Sequence, residues 1–357
     1  MAEKLRILYV APLGERDSSL YRLWALERAG QDVVRMPVER WLVQQHGLAW
    51  KLGYRLATSA GTGPLAWEFN RELLRTAEAE RPEVVWLDKM LLVTPRTLER
   101  LRGMGATVVN YCIDNPFGTR GDPGWALYMK CIPHYDLHIV QRDKNIEDYT
   151  ERGARSVLKI QTAYEPTLHY PPPAGWSDKD RTRDVSFIGT PYDERPEFLL
   201  RLKREFGVAL AVNGTRRLWE KRMTAAEMAE IYAGDEIYLH AYREAIWRSK
   251  INLSFLTHSN ADEFAHKSFE IAGCGGFLLA ERCKGHLERF VEDEEAVYFS
   301  DVEECAAKIA RYLGDEAARA RIAAAGARRA AACGYGNDGQ VGKILERIDA
   351  LRGAGQG

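Results

Sequence analysis

Lys267 and Glu270, three residues apart, are the side chains of this sequence best suited to bind a charged substrate. They lie in a stretch from Asn260 to Glu281, NADEFAHKSFEIAGCGGFLLAE, in which a helix from about His266 to Ala272 precedes a buried strand. Residues three apart share one helix face. A carboxylate there can accept hydrogen bonds from two ribose hydroxyls at about 1.5 to 3 kcal/mol each, and an ammonium beside it can neutralise a diphosphate. The spacing alone also fits a solvated helix pair worth a few tenths of a kcal/mol.

Glycines follow the strands of the second half of the chain. Gly189 and Thr190 come after DVSFI, and Gly214 comes after VALAVN. Glycine lets backbone N–H groups approach a diphosphate closely, and the amides around Gly275 and Gly276 could do the same. Gly189 and Gly214 fit ordinary turns equally well.

Polar and charged side chains also follow four strands of the first half. They are Gly14, Glu15 and Arg16, then Asp88 and Lys89, then Asp114 and Asn115, then Gln141 and Arg142. The carboxyl ends of parallel strands share one edge of the sheet, where loops and free backbone N–H groups converge on ligands. A general base contributed by this half would be Asp114 first and Glu15 second. Polar loops without a function are the alternative at each strand end.

Short apolar runs alternate with helical patterns along the chain, which predicts βαβ units and parallel sheets covered on both faces. Between Tyr164 and Asp184 the alternation stops at EPTLHYPPPAGWSDKDRTR, where three consecutive prolines and many charges sustain neither helix nor strand. The sequence therefore predicts an α/β protein with a first domain at residues 1–165, a linker at 166–183, a second domain at 184–335 and a last helix within 336–357.

Composition excludes several classes of function. The 357 residues are enough for two domains with separate cores. Lys and Arg number 50 against 51 for Asp and Glu, so no general polycation is available for nucleic acid. No run of eighteen apolar residues and no signal peptide is present, which indicates a cytoplasmic protein without a transmembrane segment. The six cysteines show no zinc-binding spacing, so we expect reduced thiols and no metal site.

The sequence resembles the CgeB-type glycosyltransferases across nearly its whole length. In the second half the resemblance rests on FEIAGCGGFLLAER, GHLERF, EDEEAVYF and IAAAG, and in the first half on LYRLWALERAG, PEVVWLDK and YCIDNPF. It is strongest from about Asp184 to Ala332. The resemblance implies a GT-B fold, in which two Rossmann-like domains face each other across a cleft and the last helix crosses back to the first domain.

The resemblance also implies a donor site in the second domain. Related retaining enzymes carry an acidic residue, seven intervening residues and then a Glu near the donor sugar and ribose. Asp262 and Glu270 match these positions, with Asp where the wider superfamily usually has Glu. Lys267 stands where similar members often have Arg, so the charge is kept and the bidentate fork is lost. The whole predicted donor-binding set is Gly189, Thr190, Arg195, Gly214, His266, Lys267, Ser268, Glu270, Gly275 and Gly276.

The predicted reaction is transfer of a hexose-like unit from a nucleoside diphosphate sugar to a glycan, lipid-linked, protein or small-molecule acceptor. The catalytic candidates are Asp262, Lys267, Asp114 and Glu15. We expect retention of configuration; the alternative is inversion, for which Asp114 or Glu15 would be the general base. We also expect no cofactor or divalent ion, because cations and helix dipoles can neutralise the leaving group. Two alternatives remain open: a nucleotide-sugar 2-epimerase, and a non-catalytic binding protein of the same fold. Trp41, Trp50 and Trp67 either stack on an acceptor sugar or pack.

Overall fold

The computed structural model describes residues 4–41, 47–118 and 125–354 of the chain. They form two compact units, Met1–Gln161 together with Asn337–Gly357, and Thr162–Gly336. Each unit is built around a six-stranded sheet in which the paired strands are parallel. The predicted α/β class, with two parallel sheets, is confirmed.

The first unit has six strands: β1 Arg6–Ala11, β2 Asp32–Pro37, β3 Val84–Asp88, β4 Thr107–Tyr111, β5 Leu137–Val140 and β6 Val157–Lys159. Its helices before the boundary are α1 Ser18–Arg28, α2 Leu48–Ala60, α3 Pro64–Glu80, α4 Pro95–Gly103, α5 Trp125–Cys131 and α6 Asp143–Glu151. The strands are ordered β2-β1-β3-β4-β5-β6 across the sheet. The chain therefore passes from β1 to β2 at one edge, and then crosses to β3 on the other side of β1.

Apolar side chains of the first sheet divide between two cores, one on each face. Leu8 and Val10 pack in one core, and Ile7 and Tyr9 pack in the other. This division follows from the two-residue repeat of a strand. It explains why the strands read as nearly continuous apolar runs, since helices cover both faces of the sheet.

The second unit has six further strands: β7 Arg183–Ile188, β8 Leu210–Asn213, β9 Tyr232–Gly234, β10 Ser249–Ser254, β11 Leu278–Glu281 and β12 Val297–Phe299. Its helices are α7 Arg195–Phe206, α8 Arg216–Trp219, α9 Ala225–Ile231, α10 Leu239–Trp247, α11 His266–Gly273, α12 Lys284–Leu287, α13 Val302–Leu313 and α14 Glu316–Ala332. The strand order is β12-β11-β10-β7-β8-β9. The order reverses between β7 and β10, and in such sheets ligands bind at the carboxyl ends of the strands at the reversal.

The last helix, α15 Asn337–Ala354, packs within the first unit. Its apolar residues Val341, Ile344, Leu345 and Ile348 join the core that contains Leu23 and Leu26 of α1. These four positions have the spacing of one helix face, which explains why this side of the helix is buried. The chain thus passes from the first unit to the second after Gln161 and returns after Gly336.

Three details differ from the sequence-based expectations. Strand β9 was not expected, because it has three residues and follows α9 directly, which is too short for an apolar alternation to show. The sequence predicts one long helical region up to Arg81, which the structure divides into α2 and α3 at Gly61 and Gly63, both of which have positive φ. The proline-rich segment packs within the second unit, where the indole N–H of Trp247 donates to Tyr170 O at 3.0 Å.

Candidate active site

Arg195 joins the carboxyl ends of β7 and β10, the two strands at the reversal of the second sheet. It is the first residue of α7, and its guanidinium is buried. Nη1 donates to Thr190 O, after β7, at 3.0 Å. Nη2 donates to Leu256 O at 2.8 Å and to Thr257 Oγ1 at 2.9 Å, after β10. The predicted residue Thr190 therefore positions Arg195 through its backbone carbonyl.

The positive charge of Arg195 is not neutralised by an ion pair among the described residues. Its Nε is buried and has no hydrogen-bond partner. Burial lowers the pKa of Arg195, while the more distant carboxylates of Asp193 and Glu281 oppose that shift. A cavity of about 280 Å³ opens on one side of it, but the carboxylates of Asp193, Glu281 and Glu303 also line this cavity, and Lys267 and Glu270 do not. A buried cation without a paired carboxylate is costly, and a bound anion would offset that cost.

Helix α11 is anchored to the end of β10 by buried side chains. Ser268 Oγ donates to Ser254 Oγ at 2.9 Å, and His286 Nε2 accepts the N–H of Ala265 at 3.0 Å. His286 Nδ1 donates to Glu281 O at 2.8 Å, so the imidazole is neutral. Burial lowers the pKa of His286 to about 4, in agreement with that state. Ser268, which was predicted to bind a ligand, is fully buried and positions the helix.

Glu270 is a buried, ionised carboxylate held by two side chains. Its Oε2 accepts from the hydroxyl of Tyr242 at 2.7 Å, and its Oε1 accepts from His266 Nε2 at 3.0 Å. A second imidazole, that of His169, lies 3.9 Å from the same oxygen. Burial alone would raise the pKa of Glu270, but His266, His169 and Lys267 hold it well below its usual range. A carboxylate oxygen can accept more than one hydrogen bond, so both retain capacity for a ligand.

Lys267 is mostly buried and does not form a solvated pair with Glu270. Burial, with a smaller contribution from Arg195, lowers the pKa of the Lys267 ammonium, while Glu270 opposes that shift. Its Nζ lies 4.8 Å from the centroid of the Tyr242 ring, a distance typical of a cation–π contact. The half-buried Lys267 is therefore close enough to the buried Arg195 for the guanidinium to disfavour its charge. Such an arrangement favours an anion between or beside them.

Asp262 belongs to the turn that follows β10. Its Oδ1 accepts from Asn260 Nδ2 at 2.8 Å, and its backbone N–H donates to Thr257 O at 3.3 Å. The side chain is half-buried, and its charge acts to raise the pKa of Arg195. The structure therefore brings Asp262 into the surroundings of the same buried arginine.

His266, the first residue of α11, is also within this cluster. Its Nδ1 forms a short hydrogen bond with Thr162 Oγ1, and its other nitrogen contacts Glu270, one helical turn further on. The residue before it, Ala265, has no side chain that could cap the helix. The start of α11 therefore combines backbone N–H groups with the partly exposed imidazole of His266 and the cation of Lys267.

The predicted glycines have a packing role in the structure. The N–H of Gly189 donates to Asn213 O at 2.9 Å, and the N–H of Gly214 donates to Gly234 O at 3.3 Å. A Cβ on Gly214 would lie 2.1 Å from Gly189 O. The two strand ends therefore touch through their backbones, and side chains larger than hydrogen would separate them.

Gly275 and Gly276 end α11 at its carboxyl terminus. Their N–H groups donate to Ala272 O and Ile271 O, each at 2.9 Å. Both amides are thus occupied, and the helix dipole at this end repels an anion. The expectation that these amides assist a diphosphate is not supported by this geometry, and we leave them out of the proposed site.

In the first unit, the two catalytic candidates have different surroundings. Asp114, after β4, forms an ion pair with Lys89, which has a positive φ of 50°. Glu15, after β1, is exposed, and it is Asp17 that accepts the N–H of Gly14, at 3.0 Å. Strand β3 separates β1 from β4. Asp114 and Glu15 thus both follow the carboxyl ends of their strands, as expected, but these strands, β4 and β1, are not neighbours in the sheet.

Asp88, another polar residue at a strand end, is part of a buried ion pair. Arg22 donates to Asp88 through Nε at 2.8 Å and Nη2 at 3.0 Å, and the hydroxyl of Tyr9 donates to the same carboxylate at 3.1 Å. Both oxygens of the Asp88 carboxylate accept hydrogen bonds from side chains of the first unit. Asp88 therefore stabilises the structure of the first unit.

The sequence did not single out Tyr242, His169 or His286. Tyr242 lies on α10 and His169 lies in the proline-rich segment, far in sequence from the stretch they complete. For Tyr242, the available signal was a hydroxyl at a position that otherwise reads as apolar packing.

Within the described ranges, no group of three or more His, Cys, Asp or Glu side chains could hold a metal ion. None of the described helices is long and apolar enough to span a bilayer.

A family model matches the part of the chain that contains α7 and α11. Residues 195–346 match the family described as glycosyl transferase-like, a range that begins at Arg195 and includes all of α11. No protein of curated function matches the sequence significantly.

Solved structures share the fold over almost the whole chain. Sucrose-phosphate synthase from Thermosynechococcus elongatus superimposes with a TM-score of 0.71 at 14% identity, covering 98% of this chain and 100% of that one. Anabaena HepE in complex with UDP and glucose gives 0.63 at 12%, covering 97% and 100%. A UDP-forming α,α-trehalose-phosphate synthase from Burkholderia xenovorans gives 0.61 at 14%, covering 98% and 99%. The two sheets are thus those of a GT-B fold, and together with the family match they support a glycosyltransferase enzyme.

Proposed function

We propose that this protein transfers a sugar from a nucleoside diphosphate sugar, and that the donor binds at the carboxyl ends of β7 and β10. The observation that carries the proposal is the cluster of Arg195, Lys267 and Glu270: a buried guanidinium, a half-buried ammonium whose charge the guanidinium disfavours, and a buried carboxylate that stays ionised. A nucleoside diphosphate offers the complementary groups, since its diphosphate is anionic and its ribose carries two adjacent hydroxyls. The proposal extends to the narrower CgeB type, which the sequence resembles.

In the proposed complex Glu270 accepts hydrogen bonds from the ribose hydroxyls. Tyr242 and His266 hold the carboxylate in place and use one acceptor position on each oxygen. Because these partners already orient the group, little rotamer entropy is lost when the donor binds. Glu270 would thereby fix the nucleoside relative to the two cations.

Lys267 and Arg195 bind the diphosphate, assisted by the uncapped N–H groups at the start of α11. As the bond to the sugar breaks, negative charge develops on the departing nucleotide, and positive groups already in place stabilise it. These groups supply the neutralisation that a divalent ion supplies in other transferases, so we propose a metal-independent reaction. Asp262 contacts the donor sugar from the turn after β10, and the product retains its configuration.

UDP-sugars are the first donors to test, since the relative HepE was solved with UDP and glucose and the trehalose-phosphate synthase is described as UDP-forming. Isothermal titration of UDP and UDP-glucose into the wild-type protein and Glu270→Gln tests the ribose contact. We expect affinity to fall about tenfold or more in the variant, because charged hydrogen bonds are replaced by neutral ones. Glu244→Gln, an exposed position on α10, is the matched control and should bind as the wild type does. Equal affinities for Glu270→Gln and wild type would contradict the proposal.

A further inference from the structure

Large apolar side chains are concentrated on the exposed surface of α2 and the start of α3. Five of the eleven exposed large apolar residues in the described part of the chain lie between residues 48 and 67: Leu48, Trp50, Leu52, Leu56 and Trp67. Leu48 is 75% exposed, and Leu52 and Trp67 are each 64% exposed. Exposed apolar residues are common singly, but a contiguous group marks an interaction surface.

The three leucines form one stripe along α2. Leu48, Leu52 and Leu56 are each four residues apart, so they lie on the same face of the helix. Ala57 and Thr58 are buried and attach the opposite side of the helix to the first unit. Trp67, also exposed, lies at the start of α3, one turn after Gly63, where an added Cβ would lie 3.8 Å from Leu56 Cδ2. We call these four residues, Leu48, Leu52, Leu56 and Trp67, the α2 face.

The charged residues of α2 itself are positive, whereas Glu68 follows Trp67 on α3. Lys51 and Arg55 are exposed on α2, one turn apart and adjacent to the leucine stripe. No Asp or Glu occurs in the sequence between Glu39 and Glu68. The surface is therefore apolar with a cationic margin, within a protein whose overall charge is close to zero.

We propose that the α2 face binds the surface of a lipid bilayer that contains anionic headgroups. Leucines and a tryptophan that enter the boundary between headgroups and acyl chains, with Lys51 and Arg55 at the phosphates, match the chemistry of an interfacial helix. With 13 residues α2 is about 20 Å long, shorter than the hydrocarbon core of about 30 Å, so it lies on the bilayer. A second copy of this chain fits less well, because a two-fold contact through this face would bring the Lys51 and Arg55 margins together.

This proposal is independent of the donor site and concerns only the first unit. Co-sedimentation with vesicles of equal parts phosphatidylglycerol and phosphatidylcholine, compared with pure phosphatidylcholine, tests it on the full-length protein. We expect the protein to bind the anionic vesicles about tenfold or more tightly than the neutral ones, and to be released by salt. Lys51→Gln/Arg55→Gln should abolish that preference, and Leu48→Ser/Leu52→Ser/Leu56→Ser should abolish binding.

Phe206→Ser/Leu287→Ser removes two exposed apolar side chains from the second unit and should bind vesicles as the wild type does. UDP-glucose titration should give the same affinity for all of these variants, which separates this surface from the donor site. The proposal is overturned if the triple serine variant still binds anionic vesicles as the wild type does, or if neutral vesicles bind equally well. It is also overturned if the wild type is a dimer that the serine substitutions dissociate and no vesicle binding is found.

Discussion

The hydroxyl of Tyr242 donates to Glu270 Oε2 at 2.7 Å, and the face of the same ring contacts the ammonium of Lys267. One side chain from α10 thus orients both charged residues that the sequence places on α11. The hydroxyl and the ring of Tyr242 have different roles, which substitutions can test separately. Its hydroxyl supports the carboxylate, and its π face supports the cation.

Tyr242→Phe keeps the ring and removes the hydroxyl. We expect a loss of about 1 to 3 kcal/mol in the free energy of unfolding, because a buried carboxylate loses a hydrogen bond. Donor affinity should fall less than in Glu270→Gln, since His266 still holds Oε1. Tyr170→Phe, in the same unit and with an exposed ring, should leave both quantities unchanged. Urea unfolding and calorimetric titration of the two variants measure the effect.

Lys267→Met removes the ammonium and keeps most of the side-chain volume. We expect turnover of the donor to fall about tenfold or more, equivalent to at least about 1.4 kcal/mol of transition-state stabilisation. Lys267→Arg should recover part of that loss, since the charge is restored. Lys284→Met, at an exposed position on α12, is the control. Normal turnover in Lys267→Met would remove this residue from the reaction.

Gly214→Ala tests the contact between the ends of β7 and β8. The added methyl would overlap Gly189 O, so we expect about 1 to 3 kcal/mol of destabilisation. The comparison variant is Gly342→Ala on α15, where a Cβ meets nothing within 4 Å. Alanine there should stabilise the protein by about 0.5 to 1 kcal/mol, since it favours helix. Denaturation midpoints that move in the same direction would contradict this account.

The stability of the protein should depend on pH through His286. Its folded-state pKa is about 4, while an unfolded histidine titrates near pH 6.5. In the window between these values the unfolded chain binds a proton that the folded state does not bind. Stability is therefore full above about pH 6.5 and falls as the pH drops towards 4, by about 3 kcal/mol for this residue.

Urea unfolding of wild type and His286→Asn at pH 7 and pH 5 measures this contribution. The variant should be less stable than the wild type at pH 7, because the acceptor for the Ala265 N–H is lost. It should also lose less stability than the wild type on acidification. An unchanged pH dependence in His286→Asn would exclude a buried neutral imidazole.

The sequence predicts the fold well because its strands are buried on both faces. Runs such as VVWLD of β3 are buried at every position, so apolar character alone identifies them. Strand β9 is the exception, since it depends on pairing with β8 and has no pattern of its own. The local sequence pattern predicts strands that are buried along their whole length. It does not predict strands that form only by pairing with a segment distant in sequence.

The same limit applies to the candidate site. Lys267 and Glu270 could be found because they lie on one short helix with distinctive chemistry. Their partners could not, since Tyr242 and His169 reach Glu270 from other segments. Ser268 lies between the two and faces the opposite way, toward Ser254 and His286. The tertiary fold decides which of these neighbouring side chains points toward a ligand, and the residue types alone do not predict that.

The passage of the chain out of the first unit after Gln161 and back before α15 has a consequence for biosynthesis. During translation the whole of the second unit emerges before the residues that complete the core around Leu23 and Leu26. The second unit is contiguous in sequence and can acquire its structure while the first is still unfinished. Ribosome-bound chains that stop short of α15 should therefore contain a protease-resistant second unit beside a first unit that remains open to cleavage.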